Sequence, residues 1–206
     1  MTAARTLSTK GKATRLALED AARTLFAERG FHGTTLSDIT AAAGKSPAAF
    51  YRYFDDKEDL LVCIAEDFLR EIHEIPMLGE DPGQIVVSDD RDFFASAVRV
   101  YWRRFKPNIG IMVAIDQLAA TEPRFAALQN QFRRYGMDIV GTSVRTAQQQ
   151  GHAAGLDADH VALAIALLFE RFTSVSLSHG LSDEAAIATL CAIWKKTLYG
   201  DTEEKR

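Results

Sequence analysis

The residues best suited to chemistry lie in one short run. It passes from Phe31-His32-Gly33-Thr34-Thr35 through Gly44-Lys45-Ser46-Pro47-Ala48-Ala49 to Phe50-Tyr51-Arg52-Tyr53-Phe54 and Lys57. The hydroxyls of Thr34, Thr35 and Ser46, the phenols of Tyr51 and Tyr53, the Lys57 ammonium and N–H groups at two helix starts are donors of the kind that hold nucleic-acid phosphates. Lys45 adds a further charge. Arg52 carries a guanidinium able to reach a phosphate or a guanine edge. Ala48 and Ala49 are small enough for a backbone to approach DNA closely, and their methyls could meet thymine methyls in a major groove. Singly, each residue has an ordinary explanation: Phe50 and Phe54 as core, a surface tyrosine without a role, Lys57 as a solvated helix charge. Their joint order is what favours DNA.

Short helices must position these groups. Leu18, Ala21, Ala22, Leu25 and Phe26 recur at helical spacing and predict a helix over 12–30, with Gly30 as its stop. A second helix covers 34–43, with Thr35 as cap, Asp38 completing a capping box and Gly44 as the left-handed terminator. Ser46 caps a third, over 46–53, with Pro47 at its first position. Asp55 and Asp56 open a fourth, from Lys57 to about Ile75. Three helices so close, with a tight glycine turn between the second and third, form the helix-turn-helix pattern. Pro, Gly and Asp then break the periodicity over 76–90, which reads as a loop. Five further helical stretches follow at 91–105, 108–120, 122–150, 157–179 and 183–199. The expected fold is all-α, about nine helices, with a helix-turn-helix DNA-binding domain over 1–56 and a larger helical bundle over 57–206.

This stretch resembles the TetR family of transcriptional regulators. The Thr34-Thr35 pair, Ala43-Gly44, the Ser46-initiated helix, Tyr51-Arg52-Tyr53-Phe54 and Lys57-Glu58-Asp59-Leu60 occur in that family's order and spacing over residues 12–62. The resemblance places Thr35, Ser46, Pro47, Ala49, Tyr51, Tyr53 and Lys57 at positions that commonly touch DNA. Lys45 departs from the usual Val, and Ala48-Ala49 from the frequent Gly and Thr, so base readout there would be apolar. The resemblance further implies a repressor, released from a palindromic operator by a small, partly apolar effector. The alternative is an all-helical small-molecule binding protein or enzyme whose N-terminal helices are only structural.

Charge supports the first reading. The chain carries −4 overall, but residues 1–54 hold eight Lys and Arg against four acids, leaving the remainder at −8. A cationic head on an acidic body suits contact with a polyanion through the head alone. The basic stretch Lys10–Arg15 reads as a flexible arm, reaching phosphates or a minor groove, or as a solubilising tail. The longest apolar run, 161–169, is too short to span a membrane, and no export signal stands at the N-terminus, so a cytoplasmic location is expected. Cys63 and Cys191 read as small core residues. His152, Asp157, Asp159 and His160 are the nearest approach to a metal set, but they surround a Gly-rich connection where polar residues are usual. No phosphate loop or nucleophile motif occurs, so neither catalysis, cofactor nor metal is expected.

Downstream, Trp102, Phe105, Met112, Asp116, Phe132, Tyr135 and Phe169 are candidates to line an effector pocket of mixed character. Plain core packing competes at each. The resemblance makes 57–206 a ligand-binding and dimerisation domain, with homodimerisation through the last two helices, by Ala162, Ala166, Phe169, Thr173 and Ser176 on one and Ile187, Leu190, Trp194 and Leu198 on the other. Packing inside one subunit is the competing reading.

Overall fold

A computed structural model describes residues 8–74 and 91–200 of the chain. The expected loop over 76–90 lies outside the described residues. Among these, nine α helices and one 3-10 turn account for the regular structure: α1 Thr9–Arg29, α2 Leu36–Ala42, α3 Pro47–Phe50, α4 Lys57–Glu74, α5 Arg91–Phe105, the turn Lys106–Asn108, α6 Ile109–Ala119, α7 Pro123–Gln149, α8 Ala158–Ser178 and α9 Asp183–Tyr199. The architecture is all-α. Among the described residues no helix is long and apolar enough to cross a membrane.

Local chemistry sets the helix ends. Thr35 and Asp38 form the reciprocal capping box of α2. Gly44 at φ +61° ends that helix, and the Lys45 N–H returns 2.9 Å to the Thr40 carbonyl, closing the terminal turn. Ser46 Oγ then accepts from the Ala49 N–H at 3.2 Å, with Pro47 in the first turn where its missing N–H is harmless. Asp56 caps α4 by accepting the Asp59 N–H. The basic stretch expected to be a loose arm is instead the first turns of α1: Ser8 accepts from the Gly11 N–H and the helix begins at Thr9. Ser8 is a good N-cap and the run after it contains nothing that breaks a helix.

The described residues form two compact units. The first comprises residues up to Phe68 together with Gly110–Leu128. Leu18, Phe26, Phe31, Ile39, Phe50, Phe54, Leu60 and Ile64 are buried in it, as are Ile111, Ile115 and Phe125. This unit is larger than the segment 1–56 expected to form the DNA-binding domain, because the apolar face of α4 carrying Leu60, Leu61, Ile64 and Phe68 is needed to close the core. Gly110 explains how α6 joins it. A Cβ there would lie 2.5 Å from the Ala27 nitrogen and 2.7 Å from its Cα, so α6 meets α1 backbone to backbone.

The second unit comprises Leu69–Ile109 and Gln129 onward. Its core joins Phe94 and Trp102 of α5, Val140 and Val144 of α7, Ile165 and Phe169 of α8, and Leu190, Trp194 and Leu198 of α9. The buried Trp194 indole donates to Ser143 Oγ at 3.1 Å, and that hydroxyl donates to the Val140 carbonyl, so neither polar group is stranded. The stripes expected to form a dimer face are mostly consumed here. Ala162, Ala166, Phe169, Thr173 and Ser176 are buried within the chain, as are Leu190, Trp194 and Leu198, while Ile187 is half-buried. A Cβ on Gly136 or Gly141 would stand 3.6 Å from those of Ala166 and Ala162, so the small residues of α8 serve its close approach to α7. Among the described side chains of α8 and α9, Leu163, Leu167 and Ile193 are the large apolar ones left outward.

Candidate nucleic-acid interface

The turn between Gly44 and Phe54 sorts its side chains sharply. Phe50 and Phe54 are buried, their rings 5.4 Å apart, and anchor α3 from beneath. Lys45 and Ala49 are half-buried, whereas Ser46, Pro47, Ala48, Tyr51 and Arg52 are exposed, Tyr51 at 62%. Tyr53 is half-buried against Phe54. An outward phenol and guanidinium, a serine hydroxyl whose proton is not used by its capping bond, and a nearby ammonium stand on one short segment. They can donate to phosphate oxygens, and the residues between them can approach base edges.

Three residues expected to touch DNA are otherwise engaged. Thr34 is 1% exposed, and its hydroxyl is directed at the Gly30 and Leu25 carbonyls at 2.8 and 3.3 Å. It fastens the end of α1 to the start of α2. Thr35 is exposed but gives its hydroxyl proton to Asp38 at 2.6 Å and its backbone N–H to the same oxygen at 2.8 Å. These two bonds, the hydroxyl's foremost, hold the Asp38 carboxyl below its usual range. Lys57 donates to the carbonyls of both Phe31 and Thr34 at 2.8 Å, with its nitrogen 4.1 Å from the Phe31 ring centre. Burial lowers its pKa. Lys57 therefore clamps the start of α4 to the α1–α2 connection, and two of its three protons are spent there.

A second clamp went unforeseen. Arg15 donates to Glu19 at 2.6 Å and to Asp67 at 3.0 Å, tying α1 to α4, and Glu19 is 2% exposed. The Arg15-Glu19 spacing of four residues was readable as a helical pair; Asp67 lies 52 residues away and carried no signal.

The expected pocket residues divide between the units. Met112 and Asp116 belong to the first, and Asp116, expected to enter an apolar cavity, is exposed. Trp102, Phe105, Phe132, Tyr135 and Phe169 belong to the second. There Tyr101 stacks on Phe105 at 4.5 Å and donates to the Phe169 carbonyl at 3.1 Å. Among the described residues, Tyr135 Oη is buried without a hydrogen-bond partner, while Trp102 helps Lys106 hold the Asp183 carboxyl below its usual range. The Tyr135 ring lies 5.0 Å from that of His73, and burial pushes its phenol pKa up against the opposing pull of Arg104. Asp157 accepts the N–H groups of Asp159 and His160 as an ordinary cap of α8.

The outward set on α3 lies inside the segment matched by the family model described as bacterial regulatory proteins, tetR family, which covers residues 18–63. Residues 18–63 carry the TetR family's N-terminal domain. The chain is 25% identical over 202 residues to the HTH-type transcriptional regulator EthR of Mycobacterium tuberculosis, covering 96% of this chain and 92% of that one. It is 45% identical over 65 residues to the HTH-type transcriptional repressor KstR2 of Rhodococcus jostii, a match to about a third of each chain, 31% and 32%. Among solved structures, a tetR-family regulatory protein from Rhodococcus RHA1 superposes with a TM-score of 0.73 at 23% identity, over 94% and 98% of the two chains. The transcriptional regulator FadR from Bacillus subtilis, in complex with stearoyl-CoA, gives 0.68 at 19% identity, over 90% and 98%. The chain shares with both the all-helical fold, and its function is DNA-binding transcriptional regulation.

Proposed function

We propose that the protein is a homodimeric repressor that lays α3 of each subunit in the major groove of a palindromic operator and is released by a small, partly apolar effector. The observation carrying this is the exposed set Ser46, Pro47, Ala48, Tyr51 and Arg52, with Lys45 beside it, on a segment anchored by two buried phenylalanines. Ser46 and Tyr51 hold phosphates, and Lys45 and Arg52 add charge. Thr34, Thr35 and Lys57 shape the surface from behind. Two-fold symmetry sets the half-sites about one helical turn apart, ~34–36 Å, or a multiple of it.

The effector belongs to the second unit, where Tyr101, Phe105 and Phe169 supply an aromatic wall and the Tyr135 phenol has no acceptor among the described residues. The stearoyl-CoA bound by the similar FadR is a precedent for a ligand of mixed apolar and polar character. Helix α4 carries the response, since its residues to Phe68 belong to the first unit and those from Leu69 to the second. Effector and operator then disfavour each other equally. The outward leucines of α8 and Ile193 of α9 form the subunit contact.

The test is fluorescence anisotropy with the promoter fragment beside the protein's own coding region. Affinity should fall steeply between 50 and 200 mM salt, by on the order of a hundredfold or more if several phosphates are held per dimer. Tyr51→Ala should weaken it further at constant salt. Binding that ignores both salt and this substitution would displace the interface from α3.

A further inference from the structure

We propose that α3 recognises its operator chiefly through thymine methyl groups, which pack against Pro47 and Ala48. The inference rests on the DNA-binding assignment above and concerns what the surface reads. Between Ser46 and Tyr51 the outward residues are Pro47 and Ala48, with Ala49 half-exposed and Phe50 wholly buried. That stretch offers a pyrrolidine ring and methyl groups, with no side-chain donor or acceptor. Of its backbone donors, Pro47 has no N–H and the Ala49 N–H is taken by Ser46, which leaves that of Ala48, a donor of the kind that holds a phosphate at a helix start. Polar side chains stand only at the flanks, Lys45 and Ser46 before it, Tyr51 and Arg52 after.

In the major groove three of the four bases are marked only by hydrogen-bonding groups, whereas thymine alone adds a methyl. A surface without hydrogen-bonding side chains can select a base there only by that methyl. Helix α3 has four residues, a rise of about 6 Å, so its apolar face meets one or two base pairs. The flanking hydroxyls and charges fix register on the backbone and add no sequence information through phosphate. Removing one buried methyl should weaken binding roughly three- to fourfold.

The experiment uses the full-length protein and a duplex selected by it from a random library. Each thymine is replaced in turn by uracil, which lacks only the C5 methyl. The expected result is a three- to fourfold loss at one or two positions of each half-site, with no loss at thymines outside the half-sites. At one of those positions the loss should vanish in Ala48→Gly, while that variant and the wild type bind the uracil duplex alike. The uracil scan is made on the wild-type chain, so it stands whatever the variant does to folding. Tight, salt-dependent binding that is indifferent to uracil throughout, or equally sensitive outside the half-sites, would overturn methyl readout and leave the interface in place. Failure to select any duplex would overturn the interface itself.

Discussion

Lys57 shows how a residue can keep a family's pattern and do a different job. Its spacing from Tyr51 and Tyr53 invites a phosphate contact, yet its ammonium bridges two carbonyls 23 and 26 residues away. No pattern local to the sequence could reveal those partners, whereas the acceptors of Thr34 lie four and nine residues back, at Gly30 and Leu25. The caps Thr35 and Ser46 were legible because their partners are three residues off. Lys57→Ala strands both carbonyls and should lower the unfolding free energy by about 1–2 kcal/mol in urea denaturation. Tyr51→Ala should change it by less than ~0.5 kcal/mol while weakening operator binding. A variant altering both residues would therefore confuse stability with affinity. Cys63 gives a separate test at this scale. Burial and then Asp59 push its thiol up to about 11, so the native thiolate is scarce at pH 8. Alkylation of Cys63 in the folded protein, followed by peptide mass spectrometry, should run roughly a hundredfold slower than in urea. The sign follows from the raised pKa: the neutral thiol favours the fold below about pH 9, and that contribution is lost as pH rises toward 11.

At the scale of elements, periodicity and punctuation placed every helix that the structure describes. Pro107, Pro123, Gly151, Gly155 and Gly180 mark their junctions, and the bounds agree within a few residues. The main displacement is at the start of α1, where a basic stretch read as an arm is helical from Thr9. The grouping of the helices was less legible. Nothing in the spacing of Ile111, Ile115 and Leu118 says that α6 packs with the N-terminal helices, because an apolar stripe declares a buried face and not its partner. Gly110 held that information. Helix propensity alone predicts that Gly110→Ala stabilises α6 by up to ~1 kcal/mol. The backbone of Ala27 in the way predicts the reverse, a net loss of about 1–3 kcal/mol. Gly136→Ala is the control, since its added carbon meets only the Ala166 methyl at 3.6 Å and should be neutral or stabilising. Thermal melts of the two variants shifting in opposite directions would establish the contact.

For the molecule as a whole, the charge asymmetry and the DNA-binding function were readable from the first 60 residues, while the stripes expected to meet a second subunit are mostly buried within the chain. Small residues on α8 suggest close packing to any reader; only the fold shows that α7 is what they pack against. The outward residues are Leu163, Leu167 and Ile193, each 38–42% exposed. A Leu167→Glu, Ile193→Glu variant should sediment as a monomer at micromolar concentration with its helical signal retained. Its operator affinity should fall by more than a hundredfold, because one head cannot engage both half-sites. Persistence as a dimer would move the contact elsewhere. The inward and outward duties of the short segment after Gly44 fall largely to different side chains: Phe50 and Phe54 hold it down, Pro47, Ala48, Tyr51 and Arg52 face outward, and of these Tyr51 also meets Phe50 edge-on at 5.7 Å. Address and chassis are thus separable: exchanging Pro47 and Ala48 should redirect the protein to another stretch of genome with its folding and its effector untouched, a route by which duplicated copies acquire new targets while keeping the signal they answer to.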